Sequence, residues 1–312
     1  MQQTTQTLLM VRPAAFRMNE QTAVNNYFQQ DDQSLSNTEI NKRAQNEFDA
    51  FVTELRAKGI TVLVFQDTEA SNTPDSIFPN NWISFHTDGT VGVYPMFAKN
   101  RRKERKEEVL CLIEEHNFLI ESIRDYTEAE EEDAFLEGTG SVILDRVNKI
   151  AYCAISPRAD ESLFIEFCED FDYHPVVFHA YQDMNKKREL IYHTNVMMAI
   201  ANKFAVICLD TIDDKKERKE VVRQLKNSGK EIIEISEIQM HHFAGNMLQV
   251  KNKQEQYFLV MSSAAYKSLS EQQIKKINQY CEIIHSSLVT IEKFGGGSAR
   301  CMIAEVFLPY ID

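Results

Sequence analysis

One structural plan recurs along this chain, and the recurrence limits the fold more than any other feature. In each copy a polar residue precedes a strand, a turn, a second strand, a helix and a third strand. One copy has strands at 247–250 and 257–261, a helix near 270–281 and a strand near 288–292. The polar residues that open the copies lie 56, 56, 53 and 55 residues apart, at Asn81, Glu137, His193, Asn246 and Cys301. Such regular spacing indicates a repeat architecture.

The copy that begins at Cys301 is incomplete, and its missing parts lie at the other end of the chain. Residues 8–12 read as a strand, 39–59 as an amphipathic helix and 60–65 as a second strand. We therefore predict an α/β fold, a five-bladed ββαβ propeller in which the N- and C-terminal strands close one blade. Ring closure protects sheet edges that are otherwise exposed. On this prediction residues 1–312 form a single domain.

Equivalent positions in a ring of repeats converge at one end of its axis, so the five opening residues are expected to meet. Turn positions with a purely structural role favour Gly, Asp or Ser. None of the five copies begins with one of these residue types. Cys and His form a nucleophile–base pair, and a carboxylate commonly orients the His. We therefore predict that Cys301, His193 and Glu137 are catalytic.

The surroundings of Cys301 support this assignment. It follows the contiguous glycines Gly295 to Gly297 and lies beside Arg300, where a thiolate can be stabilised. A free thiol titrates near ~8.5, so an adjacent imidazolium is expected to hold the thiolate at neutral pH. Papain-type proteases place Cys before His and Asn, and that order is absent here.

Composition excludes several classes of function. The chain has 34 Lys and Arg against 47 Asp and Glu, a net charge of −13, which argues against a nucleic-acid surface. No segment approaches the ~20 apolar residues of a membrane helix, and no signal peptide opens the sequence. We therefore expect a cytoplasmic protein without a nucleic-acid or membrane partner. The six cysteines form no C-x-x-C pair and His241-His242 lacks other ligands, so we predict no metal site and no cofactor.

Four motifs resemble those of the guanidino-group-modifying (pentein) superfamily. They are Phe78-Pro-Asn-Asn81, Leu136-Glu-Gly138, His193-Thr-Asn195 and Gly295-Gly-Gly-Ser-Ala-Arg-Cys301. The superfamily includes arginine deiminases, dimethylarginine dimethylaminohydrolases and amidinotransferases, which share a five-bladed α/β propeller. The runs 73–82 and 100–105 are most similar to the citrulline-utilisation hydrolase branch, which is often described as amidinotransferase-like.

The resemblance implies substrate contacts for further residues. Asp75 matches a residue that contacts the substrate α-amino group, and Arg101 and Arg158 match arginines that hold the α-carboxylate. The Arg fork suits a carboxylate bidentately. Asn246 is expected to support the amino-acid end of the ligand. A structural role remains an alternative for three of these residues: Arg101 as one charge on a solvated helix, Arg158 as a helix cap or a partner in a surface ion pair, and Asn246 as the turn residue before a strand.

At two positions this chain departs from the superfamily pattern, and both departures favour a ureido group over a guanidinium as the reacting group of the substrate. Guanidine-processing relatives have Asp at the position of Asn81, and deiminases also have Asp at that of Asn195. Carboxylates suit a guanidinium, which offers only donors, whereas Asn offers a donor and an acceptor and so matches a neutral ureido group. An unpaired carboxylate buried against a ureido oxygen is costly. We therefore predict a small-molecule amino-acid substrate, L-citrulline.

The predicted reaction hydrolyses citrulline to ornithine, ammonia and carbon dioxide through a covalent intermediate on Cys301. The resemblance implies that Cys301 is the nucleophile, His193 the general acid/base and Glu137 the third catalytic member. The first alternative is a guanidine-substrate enzyme: an arginine deiminase, dimethylarginine dimethylaminohydrolase or amidinotransferase. The second is a non-catalytic binding protein, a role that some proteins of this fold have. The polar segment 18–38 is expected to cover the site, and no oligomeric state is predicted.

Overall fold

The computed structural model describes residues 2–32, 34–184 and 187–311. Within these ranges the strands are β1 Thr7–Arg12, β2 Thr61–Gln66, β3 Ile83–Phe85, β4 Thr90–Val93, β5 Ser122–Asp125, β6 Val142–Asp145, β7 Ile150–Ala154, β8 His174–Phe178, β9 Tyr181–Met184, β10 Lys187–Leu190, β11 Met198–Ile200, β12 Phe204–Ile207, β13 Glu231–Glu234, β14 Leu248–Lys251, β15 Tyr257–Ser262, β16 Glu282–Ser286 and β17 Ala304–Glu305. The α-helices there are α1 Asn37–Ala57, α2 Glu107–Glu115, α3 Gly138–Ser141, α4 Glu161–Phe171, α5 Lys215–Asn227, α6 Glu237–His241, α7 Ser263–Ser268, α8 Glu271–Ile277 and α9 Val289–Gly295. The predicted α/β class is confirmed.

Five sheets in the described parts of the chain share one topology. In β3-β4-β5, β6-β7-β8, β11-β12-β13 and β14-β15-β16 the first strand is antiparallel to the second, and the second is parallel to the third. Helical segments connect each second strand to its third, since parallel neighbours need a crossover. The fifth sheet, β17-β1-β2, follows the same plan and joins the two ends of the chain, with Leu9 paired to Ala304. The strands β9 and β10 form a separate hairpin.

Several of the first strands contact the first strand of another sheet. The strand β17 contacts β3, and β11 contacts both β6 and β14. Residues that immediately precede these first strands are therefore close in space, although they are far apart in sequence.

The strand predicted near 288–292 is wrong. The sequence predicts a strand near 288–292, but this segment lies in the connection after β16 and in helix α9. The Glu47 carboxylate of α1 accepts hydrogen bonds from the backbone N–H of Thr290 at 2.8 Å and of Ile291 at 3.0 Å. These bonds satisfy N–H groups that the first turn of a helix leaves free. They come from a distant helix, so the local β-branched composition could not reveal them.

Helix α1 supports the turn that carries Cys301. The helix begins with a capping box, in which Ser36 Oγ accepts the Glu39 N–H and the Glu39 side chain accepts the Ser36 N–H. Its buried face includes Phe48 and Phe51, which belong to the same apolar cluster as Cys301. No helix within the described residues has both the length and the apolar character to cross a membrane.

Replacing Phe51 by Ala should lower the free energy of unfolding by about 3–5 kcal/mol, because truncating a buried aromatic ring leaves a cavity. Phe51 is 0% exposed. Equilibrium unfolding in urea measures the loss. The matched control is Glu54→Ala, on the exposed side of the same helix, which should change the value by about 0.5 kcal/mol at most. Equal losses in the two variants would contradict the packing described for α1.

Candidate active site

The five residues that open the repeats lie at equivalent places in the structure. Asn81 ends a 3₁₀ turn before β3, Glu137 precedes α3 and β6, and His193 precedes a 3₁₀ turn before β11. Asn246 and Cys301 lie in the connections that lead into β14 and β17. All five are at most 3% exposed. The contacts described below show that the structure brings these side chains together.

His193 and Glu137 form the central hydrogen bond of the site. His193 Nε2 lies 2.7 Å from Glu137 Oε2, and Glu137 Oε1 accepts the backbone N–H of Phe97 at 3.0 Å. Two guanidinium groups lie close to the same carboxylate. Arg158 Nη1 is 3.6 Å and Arg101 Nη1 is 3.8 Å from Glu137 Oε2.

These contacts set the protonation states of the pair. Burial raises the pKa of Glu137, but the charge of Arg158, the His193 hydrogen bond and the charge of Arg101 outweigh it and lower the pKa to about 2. Burial lowers the pKa of His193 to about 4, against the opposing effect of Glu137. Glu137 is therefore an ionised acceptor at neutral pH, so Nε2 of a neutral His193 carries the proton and Nδ1 keeps a lone pair. The expected imidazolium is contradicted, because burial favours the uncharged ring.

Amide groups surround the thiol of Cys301. Asn195 Nδ2 lies 3.3 Å and Asn246 Nδ2 lies 3.2 Å from Cys301 Sγ. The orientation of Asn246 is fixed, because its Oδ1 accepts the backbone N–H of Arg300 at 3.0 Å. Within the described residues, Asn195 Oδ1 has no hydrogen-bond partner. Both side chains, predicted as substrate contacts, thus also donate to the sulfur.

Arg101 lines the cavity, but its donors are used within the protein. Nε and Nη2 donate to the two carboxylate oxygens of Glu104 at 3.0 and 2.9 Å. Nη1 donates to Asn81 Oδ1 at 2.8 Å. Arg101 is 2% exposed, which excludes the solvated-helix interpretation. This geometry orients Asn81, and the role of Arg101 in holding a substrate carboxylate stays a prediction.

Residues 19–29, here named the lid segment, lie over the two side chains predicted to bind the amino-acid end of the substrate. Arg158 Nε donates to Asn25 Oδ1 at 2.9 Å, and Arg158 Nη2 donates to the Thr22 carbonyl at 2.8 Å. Asp75 Oδ2 accepts from Thr22 Oγ1 at 3.1 Å, whereas Asp75 Oδ1 has no partner in the part of the chain described. The expectation that segment 18–38 covers the site is confirmed for this part; residue 33 lies outside the described residues.

The lid segment also closes on the glycine turn before Cys301. Asn26 Nδ2 donates to the carbonyls of Gly295 at 3.3 Å and Gly296 at 3.4 Å, and the Tyr192 hydroxyl donates to the Gly296 carbonyl at 2.7 Å. The cavity under the lid segment has a volume of about 10 Å³. One water molecule needs about that much space. An amino acid can therefore enter only when the lid segment moves.

A larger cavity lies elsewhere on the protein. Its volume is about 680 Å³, and Thr5, Lys251 and Val306 are among the residues that line it. None of the predicted site residues lines it. Chemistry locates the candidate site better than size does, because three buried groups with shifted pKa values, Asp75, Arg101 and His193, line the smaller cavity together with Cys301.

Two glycines allow the elements of the site to approach closely. Gly138 has φ 44°, and a Cβ there would lie 2.4 Å from the Asn80 carbonyl oxygen. A Cβ at Gly140 would lie 2.3 Å from Asn81 Nδ2 and 2.9 Å from His193 Nδ1. Both positions therefore require glycine, which explains part of the motif around Glu137 in steric terms.

Several residues at the site were missed by sequence reasoning. Tyr192 precedes His193 and reads as a core aromatic, yet its ring lies 4.9 Å from the Arg158 guanidinium. Glu104 lies in a charge-rich run that is typical of a solvated helix. The Arg101–Glu104 spacing of three residues was the available signal, since that spacing permits a pair on one helical face.

A family model matches almost the whole chain. The model described as "N,N dimethylarginine dimethylhydrolase, eukaryotic" matches residues 12–308. Comparison with curated protein sequences found no match.

Solved structures of low sequence identity share the fold. The apo structure of ArgZ, an arginine dihydrolase from the ornithine–ammonia cycle in cyanobacteria, has a TM-score of 0.75 at 15% identity and covers 98% of this chain. This chain spans 41% of that ArgZ chain. The N-terminal domain of ArgZ bound to substrate has a TM-score of 0.71 at 14% identity, with coverage of 97% of this chain and 99% of that one. A dimethylarginine dimethylaminohydrolase adduct with S-methyl-L-thiocitrulline has a TM-score of 0.64 at 12% identity, with the same coverage.

His193 should become protonated only near pH 4, because burial lowers its pKa to about 4. An NMR titration of labelled histidine should place its midpoint well below the ~6.5 of an ordinary imidazole. Between pH about 4 and pH ~6.5, His193 is protonated in the unfolded chain and neutral in the folded protein. The free energy of unfolding should therefore fall as the pH decreases through that window.

Glu137→Gln provides the control for this titration. The Glu137 contact raises the pKa of His193 against the effect of burial, so its removal should move the midpoint to still lower pH. A wild-type midpoint near ~6.5, the ordinary imidazole value, would contradict the buried pair described here.

Asn26→Ala should make Cys301 react faster with iodoacetamide, because it removes both hydrogen bonds from this side chain to the glycine turn. Loss of about 1 kcal/mol from the closed state raises the open fraction about fivefold. Peptide mass spectrometry measures the rate at Cys301. Glu20→Ala, exposed in the same segment, is the matched control and should leave the rate unchanged. Identical rates for the two variants would argue against the lid.

Proposed function

The chain belongs to the N,N dimethylarginine dimethylhydrolase family of the guanidino-group-modifying (pentein) superfamily, and from this premise we propose that it is a cysteine hydrolase of L-citrulline. The products are ornithine, ammonia and carbon dioxide. In this proposal residues 1–312 act as one catalytic domain in the cytoplasm, with the five sheets arranged as the blades of a closed propeller. The contacts between the first strands of neighbouring sheets support that arrangement.

The neutral groups around Cys301 Sγ are the observation that carries the proposal. The amides of Asn195 and Asn246 contact the sulfur, and the amide of Asn81 lines the same cavity. The nearby carboxylate of Glu137 already accepts hydrogen bonds on both oxygens. A guanidinium brings a charge and only N–H donors, whereas a ureido group brings an oxygen acceptor for an amide donor. Neutral amides therefore suit the ureido group better.

His193 and Cys301 line the same cavity, which supports covalent catalysis in two steps. The lone pair on His193 Nδ1 takes the thiol proton, Cys301 Sγ bonds to the ureido carbon, and the imidazolium gives its proton to the departing nitrogen as the C–N bond breaks. His193 then takes a proton from water as it attacks the carbon, the C–S bond breaks and the imidazolium returns a proton to Cys301 Sγ. The resulting carbamate decomposes to carbon dioxide and the second amine product. Glu137 stabilises the imidazolium that forms in each step.

The other end of the cavity suits an amino acid. The unpartnered Oδ1 of Asp75, within the described residues, can accept from an α-ammonium group. Arg158 can hold the α-carboxylate once the Asn25 oxygen and the Thr22 carbonyl release its donors. Substrate binding and movement of the lid segment are therefore coupled in this proposal.

A second candidate is hydrolysis of a guanidino group. The family description names dimethylarginine, and ArgZ is described as an arginine dihydrolase. These descriptions concern other proteins, and they favour arginine or a methylarginine as the competing substrate here.

Purified protein supplied with citrulline should form ornithine and ammonia in equal amounts, and Cys301→Ser should lower kcat about 10³-fold or more. Chromatography of the amino acids and an ammonia assay measure the products, with arginine and dimethylarginine tested in parallel. Cys111→Ser, which alters an exposed free cysteine, is the matched control and should retain activity. Citrulline formed from arginine would favour the second candidate. No turnover of any substrate, with a Cys301 inert to alkylation, would favour a binding protein.

A further inference from the structure

A carboxylate outside the predicted catalytic set lies behind Arg101. Glu104 ends the 3₁₀ helix Lys99–Glu104 and is 3% exposed. Its two oxygens accept hydrogen bonds from Arg101 Nε at 3.0 Å and from Arg101 Nη2 at 2.9 Å. Burial raises the pKa of Glu104 to about 8, against the opposing charge of Arg101, but the two-point pairing requires the ionised carboxylate, because a protonated oxygen would donate rather than accept. Because two parallel bonds join the groups, the plane of the guanidinium cannot rotate freely.

This pairing determines what the rest of Arg101 can contact. Nη2 also donates to the Phe78 carbonyl at 3.2 Å, and Nη1 donates to Asn81 Oδ1 at 2.8 Å. Each nitrogen of the guanidinium thus has an acceptor within the protein. Arg101 is 2% exposed, so these acceptors replace solvent.

Arg101 in turn fixes the orientation of the Asn81 amide. A guanidinium carries no acceptor, so the amide oxygen must face it and the NH₂ group must face away. A Cβ placed on Gly140 would be 2.3 Å from Asn81 Nδ2 and 2.9 Å from His193 Nδ1. Because both atoms lie beside the same point, the NH₂ group of Asn81 is close to the His193 ring. One N–H of this NH₂ group donates to Asn80 Oδ1 at 3.2 Å. The second N–H is left to donate to a ligand in the cavity that Asn81 lines.

We propose that Glu104 is a positioning residue that, through Arg101, presents Asn81 to the substrate as a hydrogen-bond donor. An N–H at this point matches the oxygen of a ureido group and is mismatched to a guanidinium, whose nitrogens only donate. A buried donor that faces another donor loses its hydrogen bond and keeps its desolvation cost. Glu104 therefore favours a ureido head group without touching it. The inference rests on the proposed function for its choice of substrate.

A purely structural role for Glu104 predicts different behaviour. A residue that only neutralises Arg101 would lower the stability when it is replaced and would leave the preference between two ligands unchanged. A positioning residue changes that preference, because a released Asn81 amide can turn its oxygen toward the ligand.

The test compares the dissociation constants of citrulline and arginine in a Cys301→Ser background, where neither ligand is consumed. Gln at position 104 keeps the shape of Glu but places an N–H against one Arg101 nitrogen, so the two-point pairing is lost. We expect Glu104→Gln to lower the preference for citrulline over arginine about tenfold. Glu104→Asp keeps the charge and should restore part of the preference. It also serves as the test variant where Glu104→Gln does not fold.

A double-mutant cycle with Asn81→Ala shows whether the effect passes through Asn81. In that background Glu104→Gln should leave the ligand preference unchanged, because the amide that it controls is gone. Additive effects of the two substitutions, or an unchanged preference in folded Glu104 variants, would overturn the inference. The proposed function fails on separate evidence, namely the absence of ornithine when the wild-type protein is supplied with citrulline.

Discussion

The candidate site depends on one buried carboxylate. Glu137 is 0% exposed, and a buried charge without partners costs several kcal/mol. Its partners come from other parts of the chain: the imidazole of His193 and the guanidinium groups of Arg158 and Arg101. Each of the two arginines also has a second contact, because Arg158 holds the lid segment and Arg101 holds Asn81. The pairing that keeps Glu137 ionised therefore also organises the cavity around it.

The residues that open the repeats could be predicted because their spacing is visible in the sequence. Equivalent positions in a repeat occupy equivalent places, so the meeting of His193 and Glu137 does not depend on the details of any loop. The sharing of one sheet by the two ends of the chain follows from the same spacing, since the last copy lacks strands that the first residues supply.

Other features could not be predicted, because they depend on contacts between residues of ordinary appearance. Nothing near Arg158 in the sequence indicates that Asn25 accepts its hydrogen bond, and nothing near α9 indicates that Glu47 caps it. Glu104 is one charge in a charged run. The protonation of His193 depends on burial, which a sequence pattern does not measure, and the expected imidazolium was therefore contradicted.

The pairing of Leu9 with Ala304 has a consequence for biosynthesis. On the ribosome β1 emerges before its antiparallel partner β17, which follows only after the strands of the other four sheets. Joining such distant segments carries a chain-entropy cost that grows with their separation, and contacts of this kind slow folding. The turn with Cys301 leads directly into β17. A nascent chain thus holds no assembled cysteine site until β17 has been made.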